Sequence, residues 1–262
     1  MKTLFLAWQA AHPGPQGGAG SRAWYPIGRL DFAPEDQLYR FVYIGGAERA
    51  HREAGFAALD AFPELDRVYE DSELFPLFQN RLVSPRRSDY VEFVQRLALD
   101  PDSADPMDVL AVSEGRRVTD HLEVFPPIKP RRDGSFACRF FVHGWRHTHA
   151  SAQLRLHGLT EGEALGVSLE LTNPATTIAV QLQSATDYCV LGWAPRYLVA
   201  DLLHAVAAAP AEIEARVLRV NPEPAPHNQR VLVELSGHFA ADYVPMNGMD
   251  FQPLVALDAV VH

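Results

Sequence analysis

Residues 168–198 constrain the fold of this chain more than any other stretch, because they combine alternating runs with a turn. Apolar and polar residues alternate in Ser168-Leu-Glu-Leu171 and again in Thr177-Ile-Ala-Val-Gln-Leu-Gln183. That period of two is typical of half-buried strands. The turn dipeptide Asn173-Pro174 separates the runs, and Gly192-Trp-Ala-Pro-Arg196 leads into a helix start. The stretch predicts antiparallel strands followed by a helix.

Other segments with strand character surround this stretch. They predict a β-rich, barrel-like domain with one main helix over 196–208. The strands are expected at 136–144, 153–156, 165–171, 177–183, 188–194, 213–220 and 230–236.

The first part of the chain mixes strands and helices. Strands are expected at Leu4–Trp8, Trp24–Leu30, Leu38–Tyr43 and His121–Phe125, and helices at Ala47–Leu59, Ser88–Leu99 and from Asp105 to Gly115. The glycine- and proline-rich His12–Gly20 is expected to be a flexible loop. The predicted fold class is α+β, a small sheet-and-helix domain followed by the barrel-like domain.

The domain boundary is expected at Pro126–Ser135, which holds three prolines, a glycine and a basic run without apolar periodicity. We therefore predict a first domain over 1–125, a linker over 126–135 and a second domain over 136–262. Two domains suit a length of 262 residues.

The charge of the chain limits what it binds. The formal net charge is −10, of which −7 lies in the part that ends at Phe125 and −3 in the part that follows. Proteins that hold long stretches of nucleic acid usually present a basic domain or stripe. Any contact with DNA is therefore expected to be small, local and sensitive to salt.

Cysteine content and hydropathy predict a cytoplasmic protein. Cys138 and Cys189 are too few for a disulfide scaffold and belong to no Cys-x-x-Cys pair. The apolar run that follows Met1 is too short for a signal peptide and is predicted to be the first strand. No run approaches the roughly 20 apolar residues of a membrane helix, so no membrane contact is expected.

Four segments of the first domain carry a family resemblance. They are Trp24-Tyr-Pro-Ile-Gly-Arg-Leu30, Tyr39-Arg-Phe-Val-Tyr43, Leu74-Phe-Pro-Leu-Phe-Gln-Asn80 and Asp105-Pro-Met-Asp-Val-Leu110. In this order, over about residues 1–125, they resemble the N-terminal subdomain of HipA-type toxin kinases. The resemblance implies a regulatory, partner-binding role and no kinase chemistry, because nothing after Phe125 resembles a phosphate loop or a catalytic His-x-Asp segment.

Three segments of the second domain carry another resemblance. Gly144-Trp-Arg-His147, Asn173-Pro-Ala-Thr-Thr-Ile-Ala-Val180 and Gly192-Trp-Ala-Pro-Arg-Tyr197 follow the order and spacing of the HIRAN domain, a DNA-end-recognition module. The resemblance covers about 136–220, and extends to 236 if the final strand is included. It implies one pocket on the barrel, around these three segments.

The resemblance assigns DNA contacts to six residues: Arg146, His147, Asn173, Trp193, Arg196 and Tyr197. Guanidinium groups suit phosphate, and imidazole or aromatic rings suit base stacking. A purely structural role in the barrel is the alternative. Ala175 and Thr176 stand where DNA-binding members have an aromatic residue and an aspartate, so recognition of a 3′ end is in doubt.

Metal and catalytic sites are not expected. His143, His147 and His149 share one face if they lie on a regular strand, which is compatible with zinc or with a half-exposed surface. No second set of ligands accompanies them, so we predict no metal and no cofactor. The acidic clusters Glu70–Glu73 and Asp100–Asp105 are expected to be solvated turns and caps. With no Gly-x-Ser-x-Gly elbow, Walker loop or His-Glu-x-x-His, no catalytic residue and no enzyme activity are predicted.

The sequence thus predicts a bacterial, non-catalytic DNA-binding protein for single-stranded or end-bearing DNA, whose first domain binds a protein partner. The alternative is an antitoxin-like regulator that binds a HipA-type kinase and has lost DNA binding.

Overall fold

The chain has a mixed α+β fold with two antiparallel sheets, as a computed structural model describes it for residues 1–10 and 23–256. The loop expected at His12–Gly20 lies outside the described residues. The strands are β1 (Lys2–Gln9), β2 (Trp24–Ala33), β3 (Leu38–Tyr43), β4 (Tyr69–Asp71), β5 (Leu122–Phe125), β6 (Ser135–Phe141), β7 (Ala164–Asn173), β8 (Thr177–Ser184), β9 (Val190–Trp193), β10 (Glu214–Val220) and β11 (Val231–His238). The α-helices are α1 (Gly45–Ala54), α2 (Pro76–Gln79), α3 (Tyr90–Arg96), α4 (Pro106–Ser113), α5 (Ala150–His157) and α6 (Val199–Ala208).

Internal contacts divide the chain into two units that are not continuous in sequence. The first unit holds 1–87, 104–127 and the segment from Met246 onward, and the second holds 88–103 and 128–245. The expected domains were continuous, and their boundaries stay a prediction. Two segments belong to the unit that is remote from them in sequence. The segment 88–103, which contains α3, belongs to the second unit, and the segment that follows Pro245 belongs to the first.

The first unit is built on a five-stranded sheet in the order β4-β3-β2-β1-β5. Its buried face is aromatic, with the rings of Phe41 and Phe62 stacked at 4.0 Å. The hydroxyl of Tyr43 donates to the carbonyl of Phe62 at 2.7 Å, so this buried polar group is satisfied. Asp105 caps α4 by accepting from the amide of Asp108 at 3.0 Å, as the sequence pattern predicts.

The segment after Pro245 completes the first unit. The amide of Gly45 donates to the carbonyl of Gln252 at 2.9 Å. Arg49 donates to both carboxylate oxygens of Asp250, at 3.0 and 2.7 Å, which is a bidentate pair. A β-carbon on Gly45 would lie 2.2 Å from the carbonyl oxygen of Met249, so the close approach of the segment requires glycine there.

The second unit is built on a six-stranded sheet in the order β6-β11-β10-β7-β8-β9. All pairs are antiparallel, and β7 and β8 pair from Leu165↔Ser184 to Asn173↔Thr177. Its core includes Phe140, Val180 and Leu232, each no more than 1% exposed. The α6 helix follows a 3₁₀ turn at Arg196–Leu198, which confirms the helix expected over 196–208.

One element of the second unit differs from the sequence prediction. Residues 153–156, expected to be a strand, lie within α5. The alternation of Leu154 and Leu156 suggests a strand, but Ala152 and Leu156 are the buried pair at helical spacing. The strand expected over 153–156 is therefore wrong, and the second unit holds α3 and α5 besides the longer α6.

The histidines near α5 do not share a strand. The chain leaves β6 at Phe141, residues 145–147 form a 3₁₀ turn, and His149 caps α5 through its Nδ1. A shared face for His143, His147 and His149 would require a strand through all three residues, and the structure has none there.

The helices are short and their apolar faces are limited. No helix in the described ranges has the length and apolar character that crossing a bilayer requires.

Candidate functional site

The segments expected to form a pocket meet where the two edge strands of the six-stranded sheet approach each other. His143, two residues past β6, exchanges two backbone hydrogen bonds with Trp193 of β9, at 2.9 and 3.0 Å. This single bridge joins the edges, and the described strands form no continuous closed barrel around it. We call the region formed by residues 143–147, 170–173 and 190–193 the Trp193 corner.

Two glycines allow this approach. Gly192 has a φ of 150°, and a β-carbon there would lie 2.5 Å from the carbonyl oxygen of His143. Gly144 has a φ of 66°, and a β-carbon there would lie 2.6 Å from the Trp193 ring. Both backbone conformations and both close contacts favour glycine. The Gly144 turn therefore packs directly on the Trp193 indole.

The buried side chain of Trp145 holds the turn after Gly144 in place. This side chain is 7% exposed, and its Nε1 donates to the carbonyl of His227 at 2.7 Å. Gln153 donates to the carbonyls of Arg146 and Thr148, at 3.1 and 2.9 Å. With Trp145 buried, the side chains of Arg146 and His147 are exposed on the 3₁₀ turn.

The Asn173 turn is linked to Trp193 through Glu170. Oε2 of Glu170 accepts from Nε1 of Trp193 at 2.6 Å and from Nδ2 of Asn173 at 2.8 Å. Oδ1 of Asn173 accepts from the amides of Ala175 and Thr176, at 2.9 and 3.1 Å. The side chain of Asn173 is thus engaged on both of its polar atoms, and it shapes the turn.

A row of side chains crosses the three strands beside this network. The register pairs Trp193 with Gln181 and Gln181 with Ser168, so these three residues share one face. Nε2 of Gln183 donates to Oγ of Ser168 at 2.7 Å, and Oγ of Ser168 donates to Oε1 of Gln181 at 3.3 Å. We call Ser168, Gln181 and Gln183 the polar row.

A small residue on β8 leaves space for the Trp193 indole to reach β7. Ala179 of β8 is paired with Glu170 and is 4% exposed. Its methyl group leaves room for the indole to reach across β8 to the Glu170 carboxylate. The ring is held over the sheet by this bond on one side and by Gly144 on the other.

The six residues assigned to DNA differ in how available they are. Arg146 and His147 are exposed, Trp193 and Arg196 are half-buried, and Tyr197 is buried at 6%. Asn173 is half-buried and engaged in its turn. The corner therefore offers one guanidinium, one imidazole and part of an indole to solvent without rearrangement.

Glu170 and the polar row are residues that the motif comparison missed. The carboxylate of Glu170 places a negative charge against the indole, which opposes an incoming phosphate close to the ring. The amides of the polar row suit hydrogen bonds to base edges. The signal for both was present in the sequence, since Ser168, Glu170, Gln181 and Gln183 are polar members of the two alternating runs.

The chain matches no protein-family model, no curated protein and no solved structure.

Proposed function

We propose that the second unit binds DNA without catalysis, at single-stranded or end-bearing DNA, through the Trp193 corner. The observation that carries the proposal is the position of Trp193, which contacts the Gly144 turn and, through Glu170, the Asn173 turn. All three segments of the HIRAN-like motif are thereby joined around one side chain. A HIRAN-like barrel is the corresponding proposal for the fold, and the His143–Trp193 bridge supports it.

Each exposed group has a role that suits its chemistry. Arg146 takes a phosphate by bidentate hydrogen bonds. His147 and the open part of Trp193 stack with bases, and stacking is tolerant of sequence. The polar row reads base edges. Arg196 assists only with the atoms it exposes, and Tyr197 supports the corner from the core.

The charge pattern predicts a short contact. One or two phosphates at Arg146 give a slope of log Kd against log salt of about 0.7 to 1.4 for single strands. Affinity is expected in the weak range, and it comes mostly from stacking. Because Ala175 and Thr176 supply no carboxylate for a terminal hydroxyl, no specific recognition of a 3′-hydroxyl end is expected.

Fluorescence anisotropy with a labelled oligothymidine of about eight nucleotides tests the proposal over a salt series. Arg146→Ala is expected to weaken binding about fivefold and to lower the salt slope by about 0.7. Arg117→Ala is the matched control, because Arg117 is an exposed arginine of the first unit. No binding at low salt to any single-stranded, duplex or end-bearing DNA, or equal losses in the two variants, overturns the proposal.

The first unit is proposed to bind a protein partner, as its HipA-like segments suggest. Engagement of Asn173, the carboxylate of Glu170 and burial of Tyr197 favour the second candidate function, an antitoxin-like regulator of a HipA-type kinase without DNA binding. A purified HipA-type kinase is the probe. A complex in size-exclusion chromatography, together with failure of every DNA to bind, supports this candidate. Absence of a complex argues against it.

A further inference from the structure

The second unit has a cleft that none of the motif segments enters. Its volume is about 600 Å³, which is the size of a pocket for a small organic ligand. Three pieces of chain form its walls: the turn at 130–134, the end of α6 with the 3₁₀ turn Pro210–Glu212, and residues 238–243 after β11. Its ionisable lining residues are Arg131, Arg132, Asp133, Glu212, His238 and Tyr243.

Arg131 and Arg132 lie on a turn that is closed by backbone hydrogen bonds. The amide of Arg131 donates to the carbonyl of Ser135 at 2.7 Å, and the amide of Gly134 donates back to the carbonyl of Arg131 at 3.0 Å. Gly134 has a φ of 84°, and a β-carbon there would lie 2.9 Å from the carbonyl oxygen of Phe239. The turn is thus closed and seated against the segment after β11.

The guanidinium groups of this turn are available. Among the described residues Arg132 has no ion-pair or hydrogen-bond partner, and the Arg131 side chain has one neutral contact, Nη1 to Oγ of Ser135 at 3.3 Å. Both residues are exposed at the cleft. Adjacent arginines with free donors favour an anion that accepts several hydrogen bonds.

The two carboxylates of the lining contact residues other than the arginines. Asp133 accepts from the amide and the hydroxyl of Ser135, at 2.9 and 2.7 Å, and these bonds hold the pKa of Asp133 below its ordinary value. Oε2 of Glu212 lies 2.5 Å from Nδ1 of His238, without the alignment of a hydrogen bond. Neither carboxylate pairs with an arginine of the turn, so the arginines are left for a ligand.

The aromatic wall adds a surface for the rest of a ligand. The Tyr243 ring stacks on His204 at 4.3 Å and lies 5.1 Å from the Phe239 ring. Its hydroxyl donates to the buried Asp201 at 2.7 Å, which fixes the ring at the edge of the cleft.

The cleft is separate from the Trp193 corner. Ser135 pairs with His238 at one end of β6 and β11, whereas Phe141 pairs with Leu232 near the other end, next to the bridge at His143. The strand between them spans about 20 Å. A phosphate at the corner therefore does not reach Arg131 and Arg132.

We propose that the cleft is a second binding site, which takes a phosphate monoester with Arg131 and Arg132 as the anion ligands. The volume exceeds that of a phosphate ion and leaves room for an attached organic group beside Tyr243. The phosphate belongs to a small phosphorylated molecule or to the 5′ end of a DNA strand, and the chemistry at the arginines is the same for both.

Phosphorus-31 NMR titration with inorganic phosphate and with phenyl phosphate tests the site at constant ionic strength. The wild type is expected to broaden both signals saturably and to bind phenyl phosphate more tightly. In the double variant Arg131→Gln, Arg132→Gln we expect Kd to rise about tenfold or more. The double lysine variant is expected to recover part of the affinity, because charge returns without the planar fork.

Two further arms identify the source of the phosphate and separate this proposal from DNA binding at the corner. A preference for 5′-phosphorylated over 5′-hydroxyl oligothymidine that disappears in the glutamine double variant points to a strand end. Binding of phenyl phosphate without that preference points to a small molecule. Arg117→Ala, at an exposed arginine that lines neither the cleft nor the Trp193 corner, is expected to leave phosphate binding unchanged. Equal phosphate affinity in wild type and glutamine double variant, or no saturable binding in the wild type, overturns the proposal.

Discussion

The Trp193 corner and the cleft beside Arg131 lie at opposite ends of the same strand pair, and they treat their polar groups differently. At the corner, the motif residues Trp193 and Asn173 both donate to the carboxylate of Glu170. At the cleft, Asp133 is satisfied within its own turn, and the neighbouring guanidinium groups stay without a carboxylate partner. Membership of a motif and availability for a ligand are therefore different properties, and only contacts distinguish them.

The largest effect is expected for the glycine that lets the corner close. Gly192→Ala places a methyl group 2.5 Å from the His143 carbonyl at a positive φ, so we expect a loss of about 3 kcal/mol in unfolding free energy. Gly162→Ala is the control: Gly162 also has a positive φ, of 84°, but no atom lies within 4 Å of the place its new methyl group would take, and the cost falls to about 1 kcal/mol. Urea denaturation measures both, and equal losses would mean that the close contact at the corner is unimportant.

The next largest effect is a loss of stability when Tyr243, in the wall of the cleft, is changed to Phe. Tyr243→Phe removes the donor to Asp201, a carboxylate that is 4% exposed. Loss of a partner from a buried charged group costs about 1.5 kcal/mol. The control is Tyr188→Phe, since Tyr188 is 73% exposed. Thermal unfolding compares the stability of the variants. An unchanged melting temperature for Tyr243→Phe would show that the bond to Asp201 does not stabilise the wall of the cleft.

A smaller effect is expected for the charge at the corner. Glu170→Gln keeps an oxygen that accepts from Trp193 but removes the negative charge, so affinity for single-stranded DNA is expected to rise about twofold at low salt. Glu214→Gln removes an exposed carboxylate of β10 instead and is expected to change little. Anisotropy titrations measure the difference. Weaker binding after Glu170→Gln contradicts the assignment of the corner as the DNA site.

The smallest effect concerns the reactivity of the Cys138 thiol, which lies on β6 between the cleft and the Trp193 corner. Burial raises the pKa of this thiol to about 12, and its Sγ donates to the carbonyl of Leu235 at 3.6 Å. The reactive thiolate is therefore scarce at about pH 8, and Cys138 is expected to resist iodoacetamide in the folded protein. Mass spectrometry of the peptide, with the urea-unfolded protein as control, checks this. Rapid labelling in the native state would show that the thiol is not shielded.

The sequence predicted elements better than it predicted contacts. The alternating runs located β7 and β8 within a few residues. In β8 the alternation reflects one buried face, with Val180 and Leu182 fully buried, whereas in β7 the apolar members Leu169 and Leu171 are exposed. The α5 helix was missed since Leu154 and Leu156 also alternate, and only packing shows that Ala152 is the second buried position. The Glu170–Trp193 bond depends on the register of three strands, which local pattern does not specify.

The cleft illustrates the same limit. Its arginines were visible only as a basic run in an expected linker, yet the turn and the segment after β11 come together through pairing of Ser135 with His238. Nothing in the sequence indicated that the turn at 130–134 lies next to the segment after β11, which is about 100 residues away along the chain.

The return of the final segment to the first unit bears on how the protein is made. Both segments of the second unit, 88–103 and 128–245, lie in sequence between parts of the first, and within the first unit Gly45 and Arg49 bond to Gln252 and Asp250. A chain emerging from the ribosome exposes Asp250 and Gln252 after all the strands of the second unit. The unit that begins first is therefore expected to be finished last, and a nascent chain stopped at Pro245 leaves the strand edge near Ile44 open to the folding machinery of the cell.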